Sequence, residues 1–318
     1  MSLSSTLLRI FAVTLLLLHA ALPVTANERI PVGTWKTAQT IQPFFYQRFL
    51  PEHLDAEVIS FTNPADQKTA LLADSLVMTG TTLAHAIHSA SLGQPIVVVA
   101  ALCNKCSALV VMKDGPIQSA KDLKGKTIGY VPGTMHEILL RETLVRNGLS
   151  PERDVKLVRV DFFDMGTALA RGSIDAFLSG EPFPSLAVAQ GYGRILEYPY
   201  FDESVGTINA GMIVKRSTIE NRPELVADLV LAHARATRHL ADQRQEWLGA
   251  AAEFGTRLEV LQAAAPNMEL AWDMDERFVR QAMALGERMQ ALGMIKRQPD
   301  YAQLFDLSFV RQARESLP

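Results

Sequence analysis

Two cysteines stand three residues apart in Cys103-Asn104-Lys105-Cys106, and they are the whole cysteine complement of the chain. In an oxidising compartment such a pair reads as a local disulfide or as two buried thiols. Neither is followed by histidine, so covalent haem attachment is not indicated. Further soft donors lie at Met78, His85, His88, Met135 and His136. His85 and His88, at i and i+3, share one helix face. Thiolate and thioether suit Cu(I) or Zn, and imidazole suits several transition metals. A metal alternative therefore draws on Cys103, Cys106, His85, His136 and Met135, with a metal ion, a metal chelate or a thiol-reactive compound as cargo. Two cysteines alone are an incomplete zinc site, which normally has four ligands, so no resident metal or other cofactor is assigned.

Catalytic constellations are sparse. No Ser-His-Asp, P-loop or His-Glu-x-x-His pattern is present, and no catalytic residue is assigned. Asp161 and Asp164 flank Phe162-Phe163 and could do acid–base work, but a solvated strand-to-helix loop with an N-cap explains them more cheaply. A stronger signal for binding is the stretch from Lys124 to Leu140. A β-branched run, Thr127 to Val131, meets Pro132-Gly133 and opens into a helical pattern with Ile138, Leu139, Leu140, Leu144 and Val145, which reads as strand, tight turn, helix. The backbone N–H groups of Thr134, Met135 and His136 then lack intrahelical partners at the positive end of a helix dipole. Such a terminus can receive an anion or a polar ligand; the plainer alternative is an ordinary βα connection.

The elements that must position these residues come from a chain of 318 residues, with net charge −3 and 48% hydrophobic content. That provides core for one large or two medium domains and no charge bias toward nucleic acid. Residues 1–26 read as a cleaved signal peptide: Arg9, an apolar run from Phe11 to Leu22, and small residues in Val24-Thr25-Ala26 before Asn27. The run is shorter than the ~20 residues that span a bilayer, and no cysteine follows it to carry lipid. The expected location is the periplasm, with an uncleaved anchor as the alternative.

Strands are expected at Ile30 to Trp35, Glu57 to Phe61, Ser75 to Met78 and Pro95 to Ala101, with helices between them. The last strand is a continuous valine-rich run, as in a strand buried on both faces. Ser107 to Met112 continues as a strand after the cysteine pair. After Asp114-Gly115-Pro116 the βα pattern restarts, with strands at Val155 to Val160, Ala176 to Leu178 and Gly211 to Val214. From Pro223 to Val310 the pattern is nearly all helical. The class is α/β, in two units with a helical tail.

Asp122-Leu123-Lys124-Gly125-Lys126-Thr127-Ile128-Gly129 resembles the signature that opens the second lobe of type II periplasmic solute-binding proteins of ABC importers. The turn Gly133-Thr134, Asn147-Gly148-Leu149, the stretch from Ala168 to Ala176 and Gly180-Glu181-Pro182 follow in the order of the sulfonate/nitrate/taurine branch. That branch also holds the thiamine-pyrimidine-precursor binders. The resemblance implies a two-lobe (Venus-flytrap) fold with two crossover strands, placed near Val110–Met112 and Ile208–Met212. Residues 27–111 and 212–318 would build lobe one, the latter including the C-terminal helices, and 112–211 lobe two. It implies a solute held in the cleft by lobe closure, delivery to an inner-membrane ABC permease with a cytoplasmic ATPase, and a monomer. Mapped onto this chain, the ligand-binding candidates are Thr37, Gln39, Thr40, Gly80, Thr81, Thr82, Gly133, Thr134, Met135, His136 and Glu181, for a small anionic or heteroaromatic (sulfonate-, nitrate- or pyrimidine-like) solute. One departure is that only Lys36 and Lys105 lie near the mapped loops, where an anion binder often aims Arg or Lys. A remote alternative is an enzyme like the yeast thiamine-pyrimidine synthase, whose run of adjacent cysteines Cys-Asn-Lys-Cys does not match. No enzyme activity is expected.

Overall fold

The computed structural model describes residues 27–62, 64–201 and 207–317; the expected signal peptide lies outside them. Among the described residues, ten strands form two five-stranded sheets. The first sheet contains β1 (Glu28–Trp35), β2 (Leu54–Phe61), β3 (Met78–Thr82), β4 (Ile96–Cys103) and β10 (Ala210–Lys215), in the order β2-β1-β3-β10-β4. The second contains β5 (Ser107–Met112), β6 (Thr127–Tyr130), β7 (Lys156–Arg159), β8 (Ala176–Gly180) and β9 (Gly193–Glu197), in the order β7-β6-β8-β5-β9.

The two sheets follow one plan. In each, three strands run parallel (β2, β1 and β3; β7, β6 and β8), and the fourth position is an antiparallel strand that arrives from the other sheet. β10 enters the first sheet this way, after β9, and β5 enters the second directly after β4. The first passage therefore falls at Asn104–Cys106, not near Val110–Met112, because Ser107 to Val111 pairs residue by residue with Gly180 to Ala176. The apolar runs on either side of the cysteine pair look alike in sequence, so hydropathy carries no sign of the change of sheet. On the second passage, the chain joins the first sheet at Ala210.

β4 is buried along its whole length, as its unbroken apolar run demands. C-terminal segments cover its edge and face. Ala101 N donates to Trp272 O and Ala271 N to Leu102 O, and the fully buried His233, from the helix Pro223–Asp242, accepts from Tyr46 at Nδ1 (2.9 Å) and donates from Nε2 to Ala101 O (2.7 Å). β3 begins later than the expected Ser75–Met78 and runs through Thr79, Gly80, Thr81 and Thr82, all buried. Branched threonines suit a pleated strand, although their hydroxyls read as a loop in sequence. Gly80 has a packing reason to be glycine: a Cβ there would lie 2.8 Å from Leu102 and 3.4 Å from the Trp35 ring. Among the described residues no helix is long and apolar enough to cross a membrane.

Candidate ligand cleft

Where the carboxyl ends of the strands of both sheets converge, the structure holds a cleft of about 510 Å³, including space open to solvent. This is where open α/β sheets present their ligand sites. The first sheet contributes Trp35 at the end of β1, the turn residues Thr37, Gln39 and Thr40, Thr82 at the end of β3, Cys103 at the end of β4, and Asn209 before β10. The second contributes His136 in the first turn of the helix Met135–Arg146, Phe162 and Phe163 after β7, Glu181 after β8, and Phe183 at the start of the helix Phe183–Ala189. Cys106, from the passage between the sheets, completes the floor.

The turn after β1 is tied down by its own hydroxyls. Thr34 donates to Thr40 O at 2.7 Å and Thr40 to Trp35 O at 3.0 Å. Thr40 has thus spent its hydrogen, so in the 2.8 Å contact between the two hydroxyls Thr37 is the donor. Gln39 reaches across the cleft, its Nε2 donating to Glu181 O at 2.6 Å. Two buried polar atoms on this wall have no hydrogen-bond partner: the donor Trp35 Nε1 and the acceptor Gln39 Oε1.

The opposite wall is aromatic and titratable. Phe162 stacks on Phe183 (centroids 6.3 Å apart, 6° between planes) and meets His136 edge-on at 5.5 Å, while the half-exposed Phe163 stands edge-on to Phe183 at the rim. His136 is buried, and burial pushes its pKa down to about 4, so it is neutral near pH 7. Ser107 Oγ lies 3.0 Å from its Nδ1. Glu181 is fully buried; burial raises its pKa, opposed by bonds from Ser185 N (3.1 Å) and Asn267 Nδ2 (3.2 Å). No lysine or arginine is among the described lining residues.

Of the residues named from sequence, Thr37, Gln39, Thr40, Thr82, His136 and Glu181 meet in this cleft. Gly80 and Thr81 stay inside β3. Thr134 is buried as the N-cap of its helix, accepting from Glu137 N at 3.3 Å and donating to Val131 O at 2.8 Å. Met135 belongs to the core. The N–H of Gly133 is answered by Glu137 Oε2 at 2.7 Å. The Glu137 carboxylate is thus held against the backbone one residue before the N-cap Thr134, and its negative charge at the helix start disfavours an anion there. Trp35, Asn209 and the pair Phe162-Phe163 also line the cleft, although none of them is a ligand-binding candidate from the sequence. The pair's exposure as two adjacent aromatics in a polar loop was the available signal.

Gly133 and His85 face each other in a second, larger cavity of about 1290 Å³ with Lys68, His88, Glu137, Arg141, Glu152 and Arg159 on its walls. His85 Nε2 approaches Pro132 O at 3.5 Å, and a Cβ on Gly133 would lie 2.6 Å from that nitrogen. The donors of the metal alternative are thereby dispersed: Cys103, Cys106 and His136 on the cleft, His85 in the second cavity, Met135 in the core. Among the described residues no group of three or more His, Cys, Asp or Glu side chains is placed to hold a metal ion.

Residues 49–246 match the family described as NMT1/THI5 like, well over half of the chain. The chain belongs to the NMT1/THI5-like family. Among its relatives, 4-amino-5-hydroxymethyl-2-methylpyrimidine phosphate synthase of Schizosaccharomyces pombe is 32% identical over 133 residues, 41% of this chain and 36% of that protein. The nitrate import ATP-binding protein NrtC of Synechocystis is 24% identical over 59% of this chain and 32% of its own length. The matched stretch thus spans only about a third of either relative. The fold of this NMT1/THI5-like protein is that of two-lobe periplasmic binding proteins. The ligand-binding component of an ABC-type import system from Staphylococcus aureus, solved with zinc bound, superposes with a TM-score of 0.79 at 16% identity, over 90% of this chain and 99% of that one.

Proposed function

We propose that this protein is the solute-capturing component of an ABC-type importer and that its solute is a small, flat heterocycle without net negative charge, of the aminopyrimidine kind. The observation that carries this reading is the cleft itself: two of its lining residues, Trp35 and Gln39, hold a buried donor (Trp35 Nε1) and acceptor (Gln39 Oε1) without a partner, an aromatic wall lines it as well, and no described lining residue is cationic. An unpaired buried polar group costs about 1–3 kcal/mol until something satisfies it, so a ring carrying an acceptor and an N–H would gain where a bare anion would not. A sulfonate or nitrate would have to be desolvated beside Glu181, with no described counter-charge. The name of the S. pombe relative supports a pyrimidine; that of NrtC supports nitrate, and the charge of the cleft favours the first.

On this reading residues 1–26 direct export to the periplasm, Thr37, Gln39, Thr40, Thr82, His136 and Glu181 contact the solute together with Trp35, and closure of the lobes precedes transfer to a membrane permease driven by an ATPase. The chain acts as a binder, not an enzyme, and as a monomer.

Titration calorimetry of the mature protein with 4-amino-5-hydroxymethyl-2-methylpyrimidine, taurine and nitrate tests the solute class. Micromolar or tighter binding of the pyrimidine, with neither anion detected, is expected. Saturable binding of taurine or nitrate with no pyrimidine binding would overturn it. Glu181→Gln should leave binding of a neutral ring within about threefold, whereas a cationic ring would lose tenfold or more.

A further inference from the structure

Cys103 ends β4 and Cys106 precedes β5, so the two cysteines bracket Asn104-Lys105, the first passage between the sheets. Both are buried free thiols, and both line the cleft. Much of the site hangs on Cys106. Asn209 Nδ2 donates to its Sγ at 3.2 Å, Glu181 N donates to its carbonyl at 2.7 Å, and the next residue, Ser107, holds His136. A Cβ on Gly180 would lie 3.3 Å from Cys106 Sγ and 3.0 Å from His136 Nε2, so thiol and imidazole share one corner of the cleft.

We propose that Cys103 and Cys106 are a redox site, a dithiol–disulfide couple that exchanges with a small or protein disulfide only when the lobes part, and whose oxidised form binds solute more weakly. In the exchange one thiolate attacks the partner disulfide, giving a mixed disulfide and releasing one partner thiol. The second cysteine then displaces the other. One Cys103–Cys106 S–S bond has formed, one partner S–S bond has broken, and the two protons and two electrons leave as two partner thiols. Access is the gate. Both sulfurs are buried in the cleft that the Gln39–Glu181 bond crosses, and the neighbouring Cys103 sulfur together with burial raises the Cys106 thiol, which slows attack while the cleft is shut. Oxidation removes both S–H groups from the cleft and draws Cys106 toward Cys103, shifting the residue on which Asn209 and Glu181 are hung. Linkage makes the effect reciprocal: whatever factor oxidation costs in affinity, bound solute returns as resistance to oxidation.

The coupling to solute rests on the proposed binding function, but the thiol chemistry does not, and the test separates them. The mature protein is equilibrated in glutathione buffers of graded potential, and its thiols are counted by alkylation and intact mass. Both thiols should disappear together as an intramolecular disulfide; thiols that stay free in excess glutathione disulfide would overturn the proposal. The oxidised form should bind 4-amino-5-hydroxymethyl-2-methylpyrimidine about tenfold more weakly, and saturating compound should raise the potential by about 30 mV, the same tenfold for two electrons. Equal affinity of the two forms would overturn the coupling. If the compound binds neither form, the fault lies with the solute reading, and the rate of oxidation decides: Gln39→Ala, lacking the bridge, must oxidise faster than the parent chain, and an equal rate would overturn the gating.

Discussion

The two cavities between the sheets are built from opposite materials. The cleft around Trp35 is walled by aromatic rings, neutral amides and hydroxyls, and keeps a buried donor and acceptor unpartnered. The cavity around His85 is larger and richer in charge, and its arginines are answered: Arg141 pairs with Glu137 (2.9 Å) and Glu152 (2.8 Å), and Arg159 faces Asp161 at 3.8 Å, while Lys68 bears on His85 and His88. A charged group that already has its partner has little to offer a ligand, whereas an unpartnered buried donor gains from any acceptor that reaches it. Unspent hydrogen-bonding capacity, rather than volume or charge density, marks the cavity equipped to hold a solute.

The largest expected effect tests that contrast at Trp35. Trp35→Ala should weaken solute binding about 100-fold, since it removes both the indole wall and its N–H. Trp35→Phe keeps most of the wall and loses only the donor, and should cost about tenfold. Calorimetry on both variants separates packing from hydrogen bonding. If the two variants lose equally, the N–H carries the binding; if Trp35→Phe loses nothing, the unpartnered donor is not part of the site.

The same contrast shows what the sequence could reveal. The α/β class, the two βα units and the helical tail were legible because buried strands and helices impose periodicities that survive in one dimension. Six of the cleft residues were legible because they follow strand ends, where the fold puts ligands. Thr134 and Gly133 fall outside the cleft for a local reason: Thr134 is buried as the N-cap and the N–H of Gly133 is bonded to Glu137, whose place four residues on in the chain is visible in the sequence. Trp35 and Asn209 were hidden for a long-range reason. Nothing near Trp35 in the chain says that Gly80 leaves its ring room, or that its N–H is left without a partner.

Protonation should sharpen the comparison next. His136 in the cleft and His233 under the first sheet are held neutral by burial with pKa values about 4, against about 6.5 unfolded. Between these values the unfolded chain takes up protons that the folded one refuses, so stability is full above about pH 6.5 and falls as pH drops toward 4. Glu181 runs the other way: with its folded pKa raised, it contributes least once it ionises as pH climbs. His85 is lowered to about 4 by burial as well, so denaturant unfolding at pH 7 and pH 5 should show a net loss of roughly 4 kcal/mol after the opposing contribution of Glu181. His136→Gln should flatten part of that slope, and an unchanged slope would mean that His136 is not held neutral in the folded protein.

Gly133→Ala should cost about 1–2 kcal/mol in stability. The residue has φ +73°, and the added methyl would meet His85 Nε2. Because His85 and Gly133 belong to the helix after β3 and the turn after β6, the methyl wedges the lobes apart without touching the cleft. Solute affinity should therefore fall only through the cost of closure. His85→Ala in the same chain should restore part of it by making room; a double variant as weak as Gly133→Ala alone would mean the methyl acts through backbone strain.

The smallest effect on solute binding is expected where the charge is densest. Arg141→Ala removes two ion pairs at once, yet one partner, Glu152, is mostly exposed, and the other, Glu137, keeps its bond from Gly133 N. The pair with Glu152 contributes about 0–1 kcal/mol, but the pair with Glu137 is mostly buried (17% and 8% exposed), so a stability loss of about 2–3 kcal/mol is expected, with solute affinity within a factor of two. The variant is informative because the second cavity is the larger and the more charged of the two. A tenfold loss of pyrimidine binding in Arg141→Ala, measured where the variant is still fully folded, would move the site to the second cavity and reverse the assignment drawn from the unpartnered Trp35 and Gln39.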